Sequence, residues 1–431
     1  MKILIKNANV LSMANDKEIL ENVNISIKDG KIMTIGDIPE DFTPESIIDG
    51  REKIVMPGLI NSHTHVAMSV FRNYADDLPF WPWLTEKIWP LEEKLIAEDV
   101  YWGSMLSIIE MIQSGITCFA DMYFFMDETA RAVKESGMRA SLVRGLTGEG
   151  EEGIDKIKET IEFYKRWNNE ADGRITVEAG PHAPYTCSAD YLEKIIKMAS
   201  DHDMRIHIHL SESKKEVEDS YKKHNKSPIK HVNDIGLFEL PTMAAHCVHV
   251  SDEDINILAQ KGVSVLNNPS SNLKLGNGFA PVEKMTEQGI NVALGTDGSS
   301  SNNNLNMFEE MNLAGLINKG VNLDSTSIPA STALKMGTIN GAKALGLDSM
   351  IGTIEEGKKA DIILVDMKKA HLYPKHNSIS ALIYSAQAAD VDTVIVNGEI
   401  LMENRELKTI DVEEVMFNAE KFAKDLVIRK K

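Results

Sequence analysis

Two histidines one residue apart, His63 and His65, close the apolar run Met56–Ile60. On a β-strand successive side chains alternate between faces, so this His-x-His pair points one way and offers two imidazoles to one metal ion. Further ligands have to come from elsewhere in the chain. His209 ends a later apolar run, Ile206–Leu210, and His246 ends another. His182 follows a third run, and Asp297 sits in Gly295-Thr296-Asp297-Gly298 after a fourth. Nitrogens with one carboxylate oxygen suit zinc or ferrous iron, with an open position for water. Taken singly, a histidine near a strand end is more often structural and an Asp before Gly is more often a turn residue. Their shared placement at strand ends is what points to chemistry.

Alternation does not separate His207 from His209, because both share a face. His209 is preferred for lying nearer the end of its run. Glu212 follows it at the start of the next segment. A bound divalent ion brings the pKa of water towards ~7, and a carboxylate beside it can carry the proton to a leaving group.

The elements that must position these residues begin near residue 57. Strand-like runs start near Gly58, Ile116, Met138, Arg174, Met204, Pro241, Gly262 and Ile290, separated by helix-like segments at 98–114, 153–168, 188–201, 252–261 and 281–289. This alternation predicts a (β/α)8 barrel, whose strand ends converge on one rim. An open doubly wound sheet is the competing arrangement, but no Gly-rich dinucleotide fingerprint follows the first strand. Residues 305–347 read as helical.

Both ends of the chain are β-rich. Ile3–Ile5 and Val23–Ile27 are strands with a turn at Asp29-Gly30. The segment Gly352–Asp366 is a turn and a strand, and Thr393–Ile400 is a hairpin about Asn397-Gly398. A charged helix spans 411–431. The simplest packing makes the ends one small β-sandwich (1–56 and 348–431) beside the barrel (57–347). The long segment 66–97 holds Phe80-Trp81-Pro82-Trp83-Leu84, too Pro-interrupted for a regular helix. Its aromatics could stack on a planar ligand or pack as a loop.

With 431 residues, 43% apolar and 26% charged, the composition is that of a soluble globular protein. A formal charge of −19 repels phosphate backbones and anionic membranes, so neither nucleic acid nor a membrane is an expected partner. No apolar run reaches ~18 residues, and the first residues lack a signal-peptide pattern. Three scattered cysteines, Cys118, Cys187 and Cys247, argue for a reducing cytoplasm over a disulfide framework. A homo-oligomer is expected.

Over nearly its whole length the chain resembles the amidohydrolase superfamily. Pro57–His65, His209-Leu210-Ser211-Glu212, His246-Cys247, Thr296-Asp297-Gly298 and the tail motif Gly352–Asp366 carry the likeness. Phe80–Leu84 with Glu92 narrows it to the deaminases of 5′-modified adenosines. The resemblance implies one divalent metal per subunit, zinc with iron as the alternative, on His63, His65, His209 and Asp297. It implies that His246 orients the attacking water, that Asp297 takes its proton and that Glu212 protonates purine N1. Glu92 would hold the ribose hydroxyls, and His182 would face the purine. Trp83 and Ser301 sit in matching substrate loops. Arg144 would meet the amino-acid tail of S-adenosylhomocysteine. The expected partner is thus a small nucleoside.

The chain departs from that pattern in one place. Where relatives that handle the tail best carry a second arginine, this chain reads Asp155-Lys156-Ile157-Lys158. Lysine cannot make the planar bidentate contact, which leaves room for neutral 5′ groups. The fourth strand has no lysine to carbamylate, and the Pro-Cys-x-x-Cys pattern of other zinc deaminases is absent. The readings that compete with adenosine-analogue deamination are guanine, cytosine or triazine chemistry on the same rim, and a non-catalytic binding protein of this fold.

Overall fold

The computed structural model describes residues 1–14, 19–148 and 150–430, the last by its backbone. The spans 1–56 and 411–431 thus each include residues outside that set. Five strands precede the barrel: β1 (Lys2–Leu11), β2 (Ile19–Lys28), β3 (Lys31–Gly36), β4 (Ser46–Asp49) and β5 (Lys53–Pro57). Eight strands then alternate with helices: β6 (Leu59–Thr64), β7 (Ile116–Tyr123), β8 (Arg139–Leu146), β9 (Ile175–Pro181), β10 (Ile206–Leu210), β11 (Thr242–His246), β12 (Ser264–Asn267) and β13 (Val292–Leu294). Four more follow: β14 (Ile362–Asp366), β15 (Val391–Val396), β16 (Glu399–Glu403) and β17 (Glu406–Leu407).

β6 to β13 pair in parallel and in chain order, the barrel topology read from the alternation. Nearly every residue of these strands is buried, as expected when helices cover the outside and side chains fill the inside. The seam between β6 and the segment after β13 is closed by Asn61. Its Nδ2 donates to Thr296 Oγ1 at 2.7 Å and its Oδ1 accepts from Thr296 N at 2.9 Å. Asp297 N adds a bond to His63 O at 2.9 Å. Gly295 is required here. A Cβ on it would lie 2.5 Å from Asn268 Oδ1 and 2.7 Å from His63 Cβ.

The remaining strands form one nine-stranded mixed sheet, joined where β14 from the C-terminal part pairs antiparallel with β5 from the N-terminal part. Its core is Ile3, Ile5, Ile25, Ile27, Val55, Ile362 and Leu364. Arg139 at the start of β8 pairs with Asp361 at 2.6 Å, both buried, and Asp361 Oδ1 also accepts from Asn397 N at 2.8 Å. That cluster pins the sheet to the barrel.

Two local expectations are corrected. β6 ends at Thr64, so His65 lies one residue past the strand, with φ −131° and ψ 77°. A register shift between Asn61 and Thr64 further breaks simple alternation. Residues 80–92 are helical after all. Phe80–Pro82 forms an α turn that widens into the π-helical Trp83–Ile88 and returns to α at Trp89–Glu92. The prolines are tolerated because the wider turn and the fresh start at Trp89 need fewer of the missing N–H groups.

Candidate active site

Each imidazole at the rim is oriented by a partner on Nδ1. His65 Nδ1 meets Met122 O at 2.6 Å, and His209 Nδ1 meets His182 O at 2.8 Å. A carbonyl only accepts, so both Nδ1 atoms carry the proton and both Nε2 atoms carry lone pairs. Those two Nε2 atoms face each other at 3.4 Å, and His65 Nε2 is 3.2 Å from Asp297 Oδ1. Lone pairs and a carboxylate gathered this way repel one another unless a cation lies among them. His63 Nε2 is buried without a hydrogen-bond partner among the described residues and lies 3.4 Å from the same Asp297 oxygen. The ligand atoms of His63, His65 and Asp297 lie within 4.8 Å of one another, as do those of His63, His209 and His246. Three nitrogens and one carboxylate oxygen around a buried centre fit a divalent ion.

The charges follow from burial and proximity. Where a proton takes the place of a metal on His65 Nε2, burial opposes the charge, but the Asp297 carboxylate and the Met122 carbonyl outweigh it and raise the imidazole to about 9. Burial lowers His63 to about 4. Asp297 is also buried, yet the neighbouring His63 and His65 hold it well below the usual carboxylate range. Its Oδ2 accepts from Ser271 Oγ at 2.6 Å and from Ser301 Oγ at 2.9 Å. Glu212 goes the other way. Burial pushes its carboxyl up, and Asn277 Nδ2 donates to it at 3.0 Å. His246 Nε2 stands 3.9 Å from Glu212 Oε2, with its Nδ1 2.9 Å from Asn272 Oδ1. His246 (φ 72°), Asp297 (φ 61°) and Ser211 (φ 52°) are held in left-handed backbone, a strain of about 1–3 kcal/mol each that clusters at functional sites.

A cavity of about 650 Å³ opens beside these residues, lined among others by Trp83, Glu92, His182, Glu212 and Ser301. Trp83 Nε1 is buried with no acceptor among the described residues, so a donor is left for a ligand. Thr186 Oγ1 donates to Ala183 O at 3.1 Å and must therefore accept from His182 Nδ1 at 2.9 Å. His182, lowered to about 3 by burial, stays neutral with Nε2 as an acceptor. Glu92 is raised by burial, with Tyr123 beside it.

Sequence reasoning and geometry part at three residues. Arg144 does not line the cavity, because its guanidinium turns to Glu159 and Gly145 O. Lys156 lines it instead, held by Thr147 O at 3.0 Å and Glu152 at 2.5 Å. Ser301 does line the cavity, but its hydroxyl is committed to Asp297. His207 shares its strand face with the preferred His209. It lies against His63, and the His-x-His spacing on β10 was the signal for it. Asn277 and Ser271 carried no signal.

Fold and rim together define a metal-dependent hydrolase. The chain belongs to the amidohydrolase family, whose sequence model matches residues 54–401. It is 59% identical over 431 residues, covering 100% of both chains, to the 5-methylthioadenosine/S-adenosylhomocysteine deaminase of Thermoanaerobacter pseudethanolicus. The protein of the same name from Caldanaerobacter subterraneus subsp. tengcongensis is 56% identical over 429 residues, 99% of each chain. Among solved structures, the adenosine deaminase of Xanthomonas campestris with bound zinc superposes with a TM-score of 0.94 at 33% identity, over 99% of this chain and 98% of that one.

Proposed function

We propose that this protein hydrolytically deaminates 5′-modified adenosines, among them 5′-deoxyadenosine, 5′-methylthioadenosine and S-adenosylhomocysteine, to the inosine analogue and ammonia. The observation that carries the reading is a pair of carboxyls on one cavity pushed apart in acidity, Glu212 upward and Asp297 downward. Such a split assigns an acid and a base.

A divalent ion on His63, His65, His209 and Asp297 would acidify the attacking water and polarise it. The bound zinc of the Xanthomonas relative supports zinc over iron. In the proposed sequence Asp297 accepts a proton from that water as its oxygen bonds to purine C6. The C6–N1 π pair moves to N1, which takes the proton of Glu212. His246 orients the water through Nε2. The proton on Asp297 then passes to the 6-amino nitrogen, the C6–N bond breaks, the remaining hydroxyl proton on the C6 oxygen returns to Glu212 as the carbonyl forms, and ammonia leaves. Trp83 encloses the substrate, Glu92 accepts from the ribose hydroxyls, and neutral His182 accepts from the purine edge. Phe80, Leu84, Trp89 and Phe124 give the cavity an apolar part suited to a neutral 5′ group.

The proposal carries the domain division 1–56, 57–347 and 348–431, supported by the end of β5 at Pro57 and by the β5–β14 pairing. It also carries a cytoplasmic location, supported by three buried free cysteines. Exposed Leu316, Val321 and Leu323 on and beside one helix support a homo-oligomer, which light scattering reads directly. The function is tested by supplying the metal-loaded protein with the three nucleosides and adenosine and following purine absorbance and ammonia. Ammonia release from at least one 5′-modified adenosine is expected, and its absence from all of them overturns the reading.

A further inference from the structure

Glu310 lies on the helix Met307–Asn322 with its side chain fully buried, and among the described residues no cation pairs with it. A buried acid in that setting is costly unless its oxygens are satisfied. Here each oxygen holds a different segment of the rim. Oε2 accepts from Ser270 N at 3.1 Å, in the short helix Pro269–Lys274 after β12, and Oε1 accepts from Asn302 Nδ2 at 2.8 Å, in the loop after β13. The next residue after Ser270 and the one before Asn302 are the two serines that donate to Asp297 Oδ2, Ser271 at 2.6 Å and Ser301 at 2.9 Å. Asn302 Nδ2 also ties back to Thr296 O at 2.8 Å. The result is a closed ring through Glu310, Ser270, Ser271, Asp297, Ser301 and Asn302.

We propose that Glu310 is a positioning residue that sets both serine donors on Asp297 Oδ2 and so turns Oδ1 towards His63 and His65. A carboxyl group suits this role because both of its oxygens can accept, whereas an amide accepts on one arm and presents N–H groups on the other. The proposal rests on the reading of Asp297 as metal ligand and base.

The test compares wild type, Glu310→Gln, Ser271→Ala/Ser301→Ala and the triple variant, each as the full metal-loaded chain. Metal retention against a chelator and kcat and KM for 5′-methylthioadenosine are measured. Glu310→Gln is expected to weaken metal retention and kcat by about 10- to 100-fold, the usual range for partners of metal ligands. KM should move by less than about threefold. In the serine-deleted background the same substitution should add less than about threefold to the loss of metal retention, because residues that act through one another are non-additive. An equal loss in both backgrounds overturns the proposal. So does a fall in melting temperature with metal retention unchanged. Should Glu310→Gln fail to fold, Asn302→Ala removes one arm of the ring and is read in the same way. If wild type deaminates no adenosine analogue, the functional reading falls, and the coupling in metal retention still decides the role of Glu310.

Discussion

His207 Nε2 lies 2.8 Å from His63 Nδ1, both rings fully buried. With Nε2 of His63 aimed at the candidate metal, Nδ1 must be the protonated nitrogen, so His207 accepts from it and fixes its tautomer. Burial holds His207 well below its usual pKa, which keeps the acceptor available. Replacing His207 by Ala should weaken metal affinity by about 10- to 100-fold. Competition with a chelator measures this, and excess metal should restore part of the activity.

Glu212 donates only while protonated. Its raised pKa keeps that form above the ordinary carboxylate range, and activity is lost as pH rises through it. Asp297 accepts only while ionised. Its lowered pKa places the acid limb below the ordinary carboxylate range. Glu212→Gln keeps an oxygen for Asn277 but has no proton to give. It should lower kcat by about 10²- to 10⁴-fold and abolish the alkaline limb that Glu212 contributes to the kcat profile.

Among the described residues, Lys156 is the one lysine or arginine that lines the cavity. A substrate carboxylate would compete with Glu152 for its ammonium. Lys156→Ala should raise KM for S-adenosylhomocysteine by about tenfold, the worth of one charge-assisted hydrogen bond. KM for 5′-methylthioadenosine should stay within about twofold, since that group has no charge to pair. Steady-state kinetics on the two substrates reads the difference.

The Arg139–Asp361 pair is buried and far in sequence. Asp361→Asn leaves the guanidinium buried without its counter-ion, which typically costs about 3–5 kcal/mol. A matching loss in denaturant unfolding is expected, with kcat unchanged below the new melting transition, because the pair joins the β sheet to the barrel away from the rim.

Glu178 on β9 is pushed up to about 7 by burial, and its carboxyl accepts from Arg205 N at 2.6 Å. The folded state therefore holds a proton that the unfolded state releases near the ordinary glutamate value of 4.5. The folded form binds more protons in that window, so this residue's contribution to stability falls as pH rises from there to about 7 and is level above. Glu178→Gln should leave the melting temperature at pH 4 nearly unchanged and raise it at pH 8.

The barrel was legible because hydrophobic burial on both faces writes each parallel strand as a short apolar run, and the helices between them keep the count. The β15–β16 hairpin was legible too: Asn397-Gly398 takes left-handed angles, φ 50° and 74°, that few other pairs accept. Barrel topology sends every strand end to one rim, which marked His63, His65, His182, His209, His246 and Asp297 as candidates, and the resemblance to the amidohydrolases implied which four of them would hold a metal. The sequence by itself thus determined the fold, the rim and the residue types able to hold a metal. Tertiary structure alone decided which nitrogen of each imidazole faces inward, since that depends on carbonyls such as Met122 O and His182 O supplied by neighbouring strands. It also decided that Lys156 and not Arg144 meets the cavity. Arg144 lies on β8 beside a helix that carries Glu159, and a long side chain follows the nearest opposite charge, a contact no local spacing encodes.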